Sequence, residues 1–272
     1  NLTAEPMPLF IKPKQLVSVQ NIKDMMRDHY EGTPCALDND PGKGPFDAPY
    51  RPTPLTWKVD GKTYFNERPI GTQQSAFVMV AQMRNWLPDY VGGVLWFGCD
   101  DANMVAFTPV YCCTTMVPEC YSDKVAGALN FSFDSAFWLC NWVSNTVYYR
   151  YNHLFPELKK VRNRLENKYN SSQERIEKKA LEMAGANGVK EKSARNYLTA
   201  YTNESAVLMM NEWMDLGKYL MVKYNDGGIR PEKQGKFVTT PGGFGAPLIR
   251  PGYPEEYRRK IVEATGSRFE VK

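Results

Sequence analysis

The sequence predicts an α+β protein in which antiparallel strands come first and a helical C-terminal region follows. Three observations carry that expectation. Residues 55–111 hold short apolar or alternating runs, punctuated by Asp60-Gly61, a tight hairpin signal. Residues 137–224 switch to apolar side chains spaced by three and four, the period of a helix with one buried face. The flanking stretches 31–53 and 226–254 are rich in Gly and Pro, which suits loops better than regular elements.

Taken in order, Pro6, Pro8 and Pro13 make residues 1–20 an extended lead-in. Val19 to His29 follows as a short amphipathic helix carrying Ile22, Met25 and Met26. Residues 31–53 then form a long loop, of the kind that is usually functional or pinned by a partner. Leu55 to Val59 alternates as a strand. Ser75–Met83, Gly92–Phe97 and Met104–Tyr111 read as three more, with Asp100-Asp101-Ala102-Asn103 as a turn. Asp134-Ser135 reads as the N-cap of a helix beginning at Ala136-Phe137-Trp138. Leu154, Leu158, Val161, Leu165, Tyr169, Ile176, Ala180 and Met183 form a second stripe. Gly185–Gly188 breaks it, and Val207, Met210, Trp213, Met214, Gly217 and Leu220 mark a third, giving an antiparallel helical hairpin. The aromatic and Met stripes are read as core. The tail, 226–272, is read as wrapping the surface.

Composition narrows the partners. A length of 272 residues allows a sizeable core, and a net charge of +4 is small for it. Lys and Arg gather after residue 158, but Glu is interleaved among them, so they read as a solvated helix surface and no nucleic acid is expected. No apolar run reaches the ~20 residues of a membrane span, so no membrane partner is expected. None of the six cysteines forms a CxxC pair, and free buried thiols are the leading reading; Cys112-Cys113 would point to opposite faces of a strand. Gly242-Gly243-Phe244-Gly245 lacks the Lys-Ser/Thr ending of a phosphate loop, and the two histidines, His29 and His153, are not in HExxH. Neither a cofactor nor a metal is expected.

The most specific feature is a set of separated motifs: Arg27-Asp28-His29-Tyr30-Glu31-Gly32-Thr33-Pro34, then Arg68-Pro69-Ile70-Gly71-Thr72-Gln73-Gln74-Ser75, then Gln82-Met83-Arg84, with Trp96-Phe97-Gly98 and Asp134-Ser135-Ala136-Phe137-Trp138 beyond. This set resembles the later part of the cysteine dipeptidases related to secernins, the dipeptidase A family of N-terminal-nucleophile hydrolases. The resemblance implies an αββα sandwich, with two antiparallel sheets between helical layers. It implies a single larger dipeptidase domain, of which residues 1–272 are the C-terminal portion: lead-in and loop over 1–53, strands over 54–134, helices over 135–225 and tail over 226–272. It also implies cleavage of dipeptides. An N-terminal cysteine thiolate attacks the scissile carbonyl, its own α-amine serves as base, and water releases the acyl-enzyme. This chain begins Asn1-Leu2-Thr3 and its first cysteine is Cys35, so the nucleophile is expected in a segment upstream, and the chain alone is expected to be inactive. The implied partners are a dipeptide substrate and the N-terminal half of the same protein. The alternative from another class is a non-catalytic interaction module that keeps the fold without a nucleophile.

Within that frame six residues are candidates for the cleft. Arg68 and Arg84 flank the proposed central strand; an arginine favours a nearby thiolate and grips a carboxylate in a two-pronged fork. Gln73 and Ser75 offer neutral donors and acceptors, sharing one face of a strand with Gln74 on the other. Asn66 is an oxyanion donor by analogy only, with a turn residue as the favoured reading. His29 is read as a structural histidine bordering the pocket, since the amine does the work of the base. Cys35 is not expected to be the nucleophile.

Overall fold

The computed structural model describes residues 8–243 and 248–271. The first seven residues, including Pro6, and Phe244 and Gly245 of the glycine-rich stretch lie outside the described residues. A short helix, α1 (Val19–Met25), opens the fold; Ser18 caps it by accepting from the Asn21 N–H. The long loop after it contains a 3-10 turn over Pro41–Phe46. Strands β1 (Thr56–Val59) and β2 (Lys62–Phe65) form a hairpin in which Asp60 and Gly61 both take positive φ, 48° and 74°. That is the conformation a two-residue turn between twisted strands needs.

The main sheet has three antiparallel strands in the order β3-β4-β5: β3 (Phe77–Met83), β4 (Gly93–Cys99) and β5 (Thr108–Tyr111). A single helical turn, α2 (Asp89–Gly92), leads into β4. Register is fixed by pairs such as Met79 with Phe97 and Leu95 with Val110. Strand β5 is shorter than the 104–111 the alternation suggests. Met104, Val105, Ala106 and Phe107 are buried but unpaired as strand: the Met104 N–H closes a turn on Asp101 and the Phe107 N–H donates to Glu166, because burial is all that their apolar run specifies.

Helices α3 (Ala136–Tyr149), α4 (Tyr151–Ala184) and α5 (Glu191–Tyr224) follow. At 34 residues each, α4 and α5 are about 50 Å long and pack as the expected antiparallel hairpin. Most of their stripe residues meet in one core, where Leu158, Leu198 and Trp213 are fully buried, but Met183 and Val207, expected in it, face solvent. Gly217 is required there, since a Cβ would sit 2.1 Å from the Trp142 ring. Ser135 holds the N-cap position of α3, though its hydroxyl makes no capping bond. In the tail, β6 (Glu232–Lys233) and β7 (Lys236–Phe237) form a small hairpin, and Arg150 donates to the Gly228 carbonyl at 3.2 Å. The tail then ends in α6 (Glu255–Thr265), a helix the sequence reading did not single out. None of its residues is buried, and i,i+4 pairs of Glu255 with Arg259 and Glu256 with Lys260 line its surface, so no core stripe announces it.

The two faces of the main sheet differ. Val78, Val80, Val94, Trp96 and Tyr111 are buried beneath the helices. On the other face Phe77, Met79 and Met83 are 57%, 53% and 71% exposed, and Leu95, Phe97 and Val110 are only half-buried.

Candidate functional site

The motif pieces that are far apart in sequence are stapled together in space. The Asp28 carbonyl accepts from the N–H groups of both Ile70 and Gly71, at 3.1 Å each. The Tyr30 hydroxyl donates to the Arg68 carbonyl at 2.9 Å. Tyr30 adopts positive φ, held there by a bond from its N–H to Asp28 Oδ1 at 2.7 Å. This turns the chain so that His29 and Glu31 face each other, with Glu31 accepting from the His29 N–H at 2.8 Å and meeting Nδ1 at 3.2 Å. Burial alone would raise the Glu31 carboxyl, but the His29 and Glu31 backbone N–H groups and the His29 ring outweigh it, and Glu31 lies below the ordinary carboxylate range.

His29 is fully buried, as its structural reading expects. Its ring packs edge-on against Tyr50 at 4.9 Å, and a Cβ on Gly71 would come within 3.3 Å of Nε2. Nε2 has no partner among the described residues. The ring is thus enclosed on one side by Gly71 and tied on the other to Glu31.

Gln73 and Ser75 require a correction. They were expected on a strand, but residues 72–75 form a turn, the Ser75 N–H donating to the Thr72 carbonyl at 3.1 Å, and β3 starts only at Phe77. The alternation argument therefore does not apply to them. Gln73 is spent on the scaffold: its Nε2 donates to the Arg51 carbonyl at 2.8 Å. The Asn66 N–H extends the small hairpin by donating to Leu55 at 2.8 Å, and its half-buried side chain has no partner among the described residues.

The two candidate arginines sit in opposite circumstances. Arg84 is almost buried, with both prongs on Glu177 at 2.7 Å, and Nη2 also on the Val91 carbonyl at 3.0 Å. Tyr111 and Gln173 donate to the same Glu177 oxygen at 3.0 and 2.9 Å. The fork is occupied. Strand β3 also separates it from the His29–Arg68 group by about 23 Å of extended chain. Arg68 is exposed, and its guanidinium has no partner among the described residues. Of the six candidates it alone presents a free charge to solvent.

Beside His29 lies a polar cluster that the sequence reading passed over as a turn. Asp101 is fully buried and accepts from Tyr50 Oη (2.5 Å), Tyr148 Oη (3.1 Å) and the Asn103 N–H (3.0 Å). Neighbouring Asp100 is buried at φ 87°, its Oδ1 accepting from Asn141 at 3.3 Å and its Oδ2 without a partner among the described residues. Burial pushes its carboxyl up to about 7. Two acidic residues directly after a buried strand, at a position where a non-glycine residue must take positive φ, were the only sequence signal of this cluster. Charges of the helical region, Glu166 and Arg162, also depart from the expected solvated surface. Arg27 is buried against Glu166 at 2.5 Å, and Arg162 is buried on the Asn103 carbonyl. Of the cysteines, Cys99, Cys113 and Cys140 are buried thiols, while Cys35 and Cys112 are exposed. Burial pushes the Cys99 thiol up to about 12, which makes it a poor nucleophile.

Comparison with known proteins gives this arrangement its relatives. The chain is 26% identical over 132 residues to the Dipeptidase A of Lactobacillus helveticus; the match covers 48% of this chain and 23% of that protein. The chain thus matches only about a quarter of its curated relative's length. The model of Peptidase family C69 matches residues 1–164, which include α1, the His29 loop, the Arg68 segment and the whole main sheet, and the chain belongs to that family.

Proposed function

We propose that the complete protein is a dipeptidase acting through an N-terminal cysteine supplied by a segment upstream of Asn1, and that this chain is the C-terminal portion of its αββα sandwich. Membership of Peptidase family C69 and the likeness to a protein named Dipeptidase A support the activity. The observation that carries the sandwich is the bare face of the main sheet. Strands β3 and β4 read Phe-Val-Met-Val-Ala-Gln-Met and Gly-Val-Leu-Trp-Phe-Gly-Cys, near-continuous apolar runs of the kind found where both faces are buried. Helices cover one face; a second sheet is the natural cover for the other.

In this reading the cysteine thiol passes its proton to its own α-amine, the resulting thiolate attacks the scissile carbonyl, and the ammonium returns the proton to the nitrogen of the breaking C–N bond. The amine product leaves, and water cleaves the acyl-enzyme. Arg68 reads the substrate carboxylate, since a free planar fork makes two parallel charge-assisted bonds. Arg84 supports the sheet.

The test is a dipeptide panel assayed with full-length protein, with the proposed N-terminal cysteine replaced by alanine, and with the 272-residue chain alone. Turnover in the first only is the expected result. Turnover by the chain alone, abolished by Cys35→Ala, would move the nucleophile to Cys35. Turnover surviving loss of every cysteine would remove the cysteine mechanism. Arg68→Ala and Arg68→Lys should each lower kcat/KM by roughly 30- to 1000-fold, the equivalent of about 2–4 kcal/mol of transition-state stabilisation.

A further inference from the structure

A cavity of about 420 Å³ opens between the Pro41–Phe46 turn and the end of α3. Rings make most of its lining: Phe46, Tyr50, Tyr148 and Tyr149, with Pro45 and Pro52. Tyr50 and Tyr148 stand edge to face at 4.7 Å, and both hydroxyls donate to Asp101, at 2.5 and 3.1 Å. They therefore offer the cavity ring carbon and no free hydroxyl proton. Gly42 and Gly44 complete the wall without side chains. Lys43, the charged residue on the lining, is answered by Asp47 at 2.9 Å. Such a lining leaves no unpaired charge for a phosphate, a carboxylate or a metal ion, and it suits a flat apolar group.

Two amide side chains, Gln73 and Asn145, complete the lining and narrow the choice. Gln73 spends Nε2 on the Arg51 carbonyl at 2.8 Å, while its Oε1 receives only the Thr72 hydroxyl at 3.4 Å, long for a bond from a hydroxyl. Asn145 spends Nδ2 on the Asn141 carbonyl and Oδ1, at 2.8 and 3.1 Å, and its own Oδ1 has no partner among the described residues. Each amide keeps an oxygen that can accept a bond. They match a ring with an O–H or N–H on its edge, a phenol or an indole, better than a plain phenyl. The cavity also belongs to the motif region: Gln73 lies in the same motif piece as Arg68, and the Tyr50 ring packs against His29 at 4.9 Å.

We propose that this cavity binds a phenol or indole ring, and that in the complete protein the ring is a substrate side chain, so that dipeptides carrying tyrosine or tryptophan are preferred. The ring site stands on the lining alone; its assignment to a substrate side chain rests on the dipeptidase reading.

The ring site is tested without turnover. The full-length protein is titrated with 4-methylphenol, 3-methylindole and toluene, and binding is followed by ligand-observed magnetic resonance. The phenol and the indole should bind at millimolar concentrations, and toluene several-fold more weakly. Ala48→Trp places an indole in the cavity from its own half-buried wall and should abolish binding. Where that variant lowers the melting temperature, Asn145→Leu, exposed on α3, carries the test: it should reduce the advantage of the phenol over toluene. Toluene binding as tightly as 4-methylphenol, binding unaffected by a folded Ala48→Trp protein, or no binding at millimolar concentrations would each overturn the ring site. The assignment is tested by kcat/KM for dipeptides with Ala, Leu, Phe, Tyr or Trp at each position. Tyr or Trp at one position should exceed Ala by roughly 10- to 100-fold, and Ala48→Trp should shrink that ratio. Turnover without such a preference overturns the assignment and keeps the dipeptidase reading. Ring binding without any turnover keeps the ring site and removes that reading.

Discussion

The same three strands present two different surfaces. Beneath the helices the sheet is sealed, and even its charges are answered. Lys23 lies 3.6 Å over the Trp96 ring, Arg27 holds Glu166, and Arg84 holds Glu177 under the Tyr111 hydroxyl. Across the sheet, Phe77, Met79 and Met83 stand in the open, with Phe77 stacked on Phe97 at 6.0 Å and Tyr121 edge-on to Phe97. A strand's alternation sends equal numbers of side chains to each face, so a run that is apolar throughout has equipped both for burial. The difference teaches which layer this chain carries by itself: the helical layer is packed and its arginines at β3 and after α1 are ion-paired, while the opposite face leaves Phe77, Met79 and Met83 more than half exposed.

That contrast breaks most readily at the sealed face. Arg84→Ala should cost about 3–5 kcal/mol, because Glu177 stays buried without its cation. Replacing both partners, Arg84→Met with Glu177→Leu, should cost much less, since no orphaned charge remains. Urea unfolding with matched m-values measures each. A loss below about 1 kcal/mol for Arg84→Ala would mean that this face is wetter than its geometry indicates.

The open face gives the next effect. In the 272-residue chain, Met79→Asp should change stability by less than about 1 kcal/mol, since the side chain is 53% exposed. In the full-length protein the same change should cost about 3 kcal/mol or more, the penalty for burying an unpaired carboxylate. Equal tolerance in both would show that the face is open in the complete protein too, and the second sheet would be withdrawn.

How much of this was legible follows the same division. Periodicity reports burial, so the helical hairpin, the strands and the Asp60-Gly61 turn could all be read from it. What it cannot report is how a polar side chain is spent. Arg68 and Arg84 look alike in sequence; one is free and the other is locked to Glu177, a residue 93 positions away. The interleaved Glu and Arg of α4 read as a solvated surface, yet Glu166, Glu177 and Arg162 are buried, because their partners come from the turn after α1, the residue that follows β3 and the β4–β5 turn. Gln73 and Ser75 were placed on a strand because an apolar run follows them; turn bonding between Thr72 and Ser75 claims them first. The loop beside His29 was legible because Gly32-Thr33-Pro34 announce it. The contact of His29 with Gly71 could not be foreseen, since residues 29 and 71 belong to separate motif pieces.

A smaller effect belongs to Asp100 beneath the loop that joins β4 to β5. Burial raises its carboxyl from 3.8 to about 7 in the folded protein. Between about pH 4 and pH 7 the unfolded chain has therefore lost this proton while the folded chain keeps it. By linkage the Asp100 contribution to stability falls as pH rises through that window, by at most about 1.4 kcal/mol per pH unit. Asp100→Asn has no proton to lose, so wild-type stability should decline relative to it from pH 4.5 to pH 6.5. Parallel urea profiles for the two proteins would show that Asp100 ionises normally and that its buried Oδ2 has found a donor.

The smallest expected effect on stability is the one that best sharpens the contrast between a sealed scaffold and an unfinished site. Arg68 is exposed and supports nothing among the described residues; only its backbone carbonyl is used, by Tyr30. Arg68→Ala should therefore shift the unfolding free energy by no more than about 0.5 kcal/mol, the usual range for a surface substitution. Arg68→Lys should shift it no further. Set beside the several kilocalories expected at Arg84, this separates two arginines that the sequence offered as equals. Near-native stability combined with a loss of dipeptide turnover in the full-length protein would place Arg68 in the cleft, because no folding defect could account for that loss. A stability loss of 2 kcal/mol or more would instead reveal a partner for its guanidinium in the complete protein, and Arg68 would then join Arg84 as part of the scaffold.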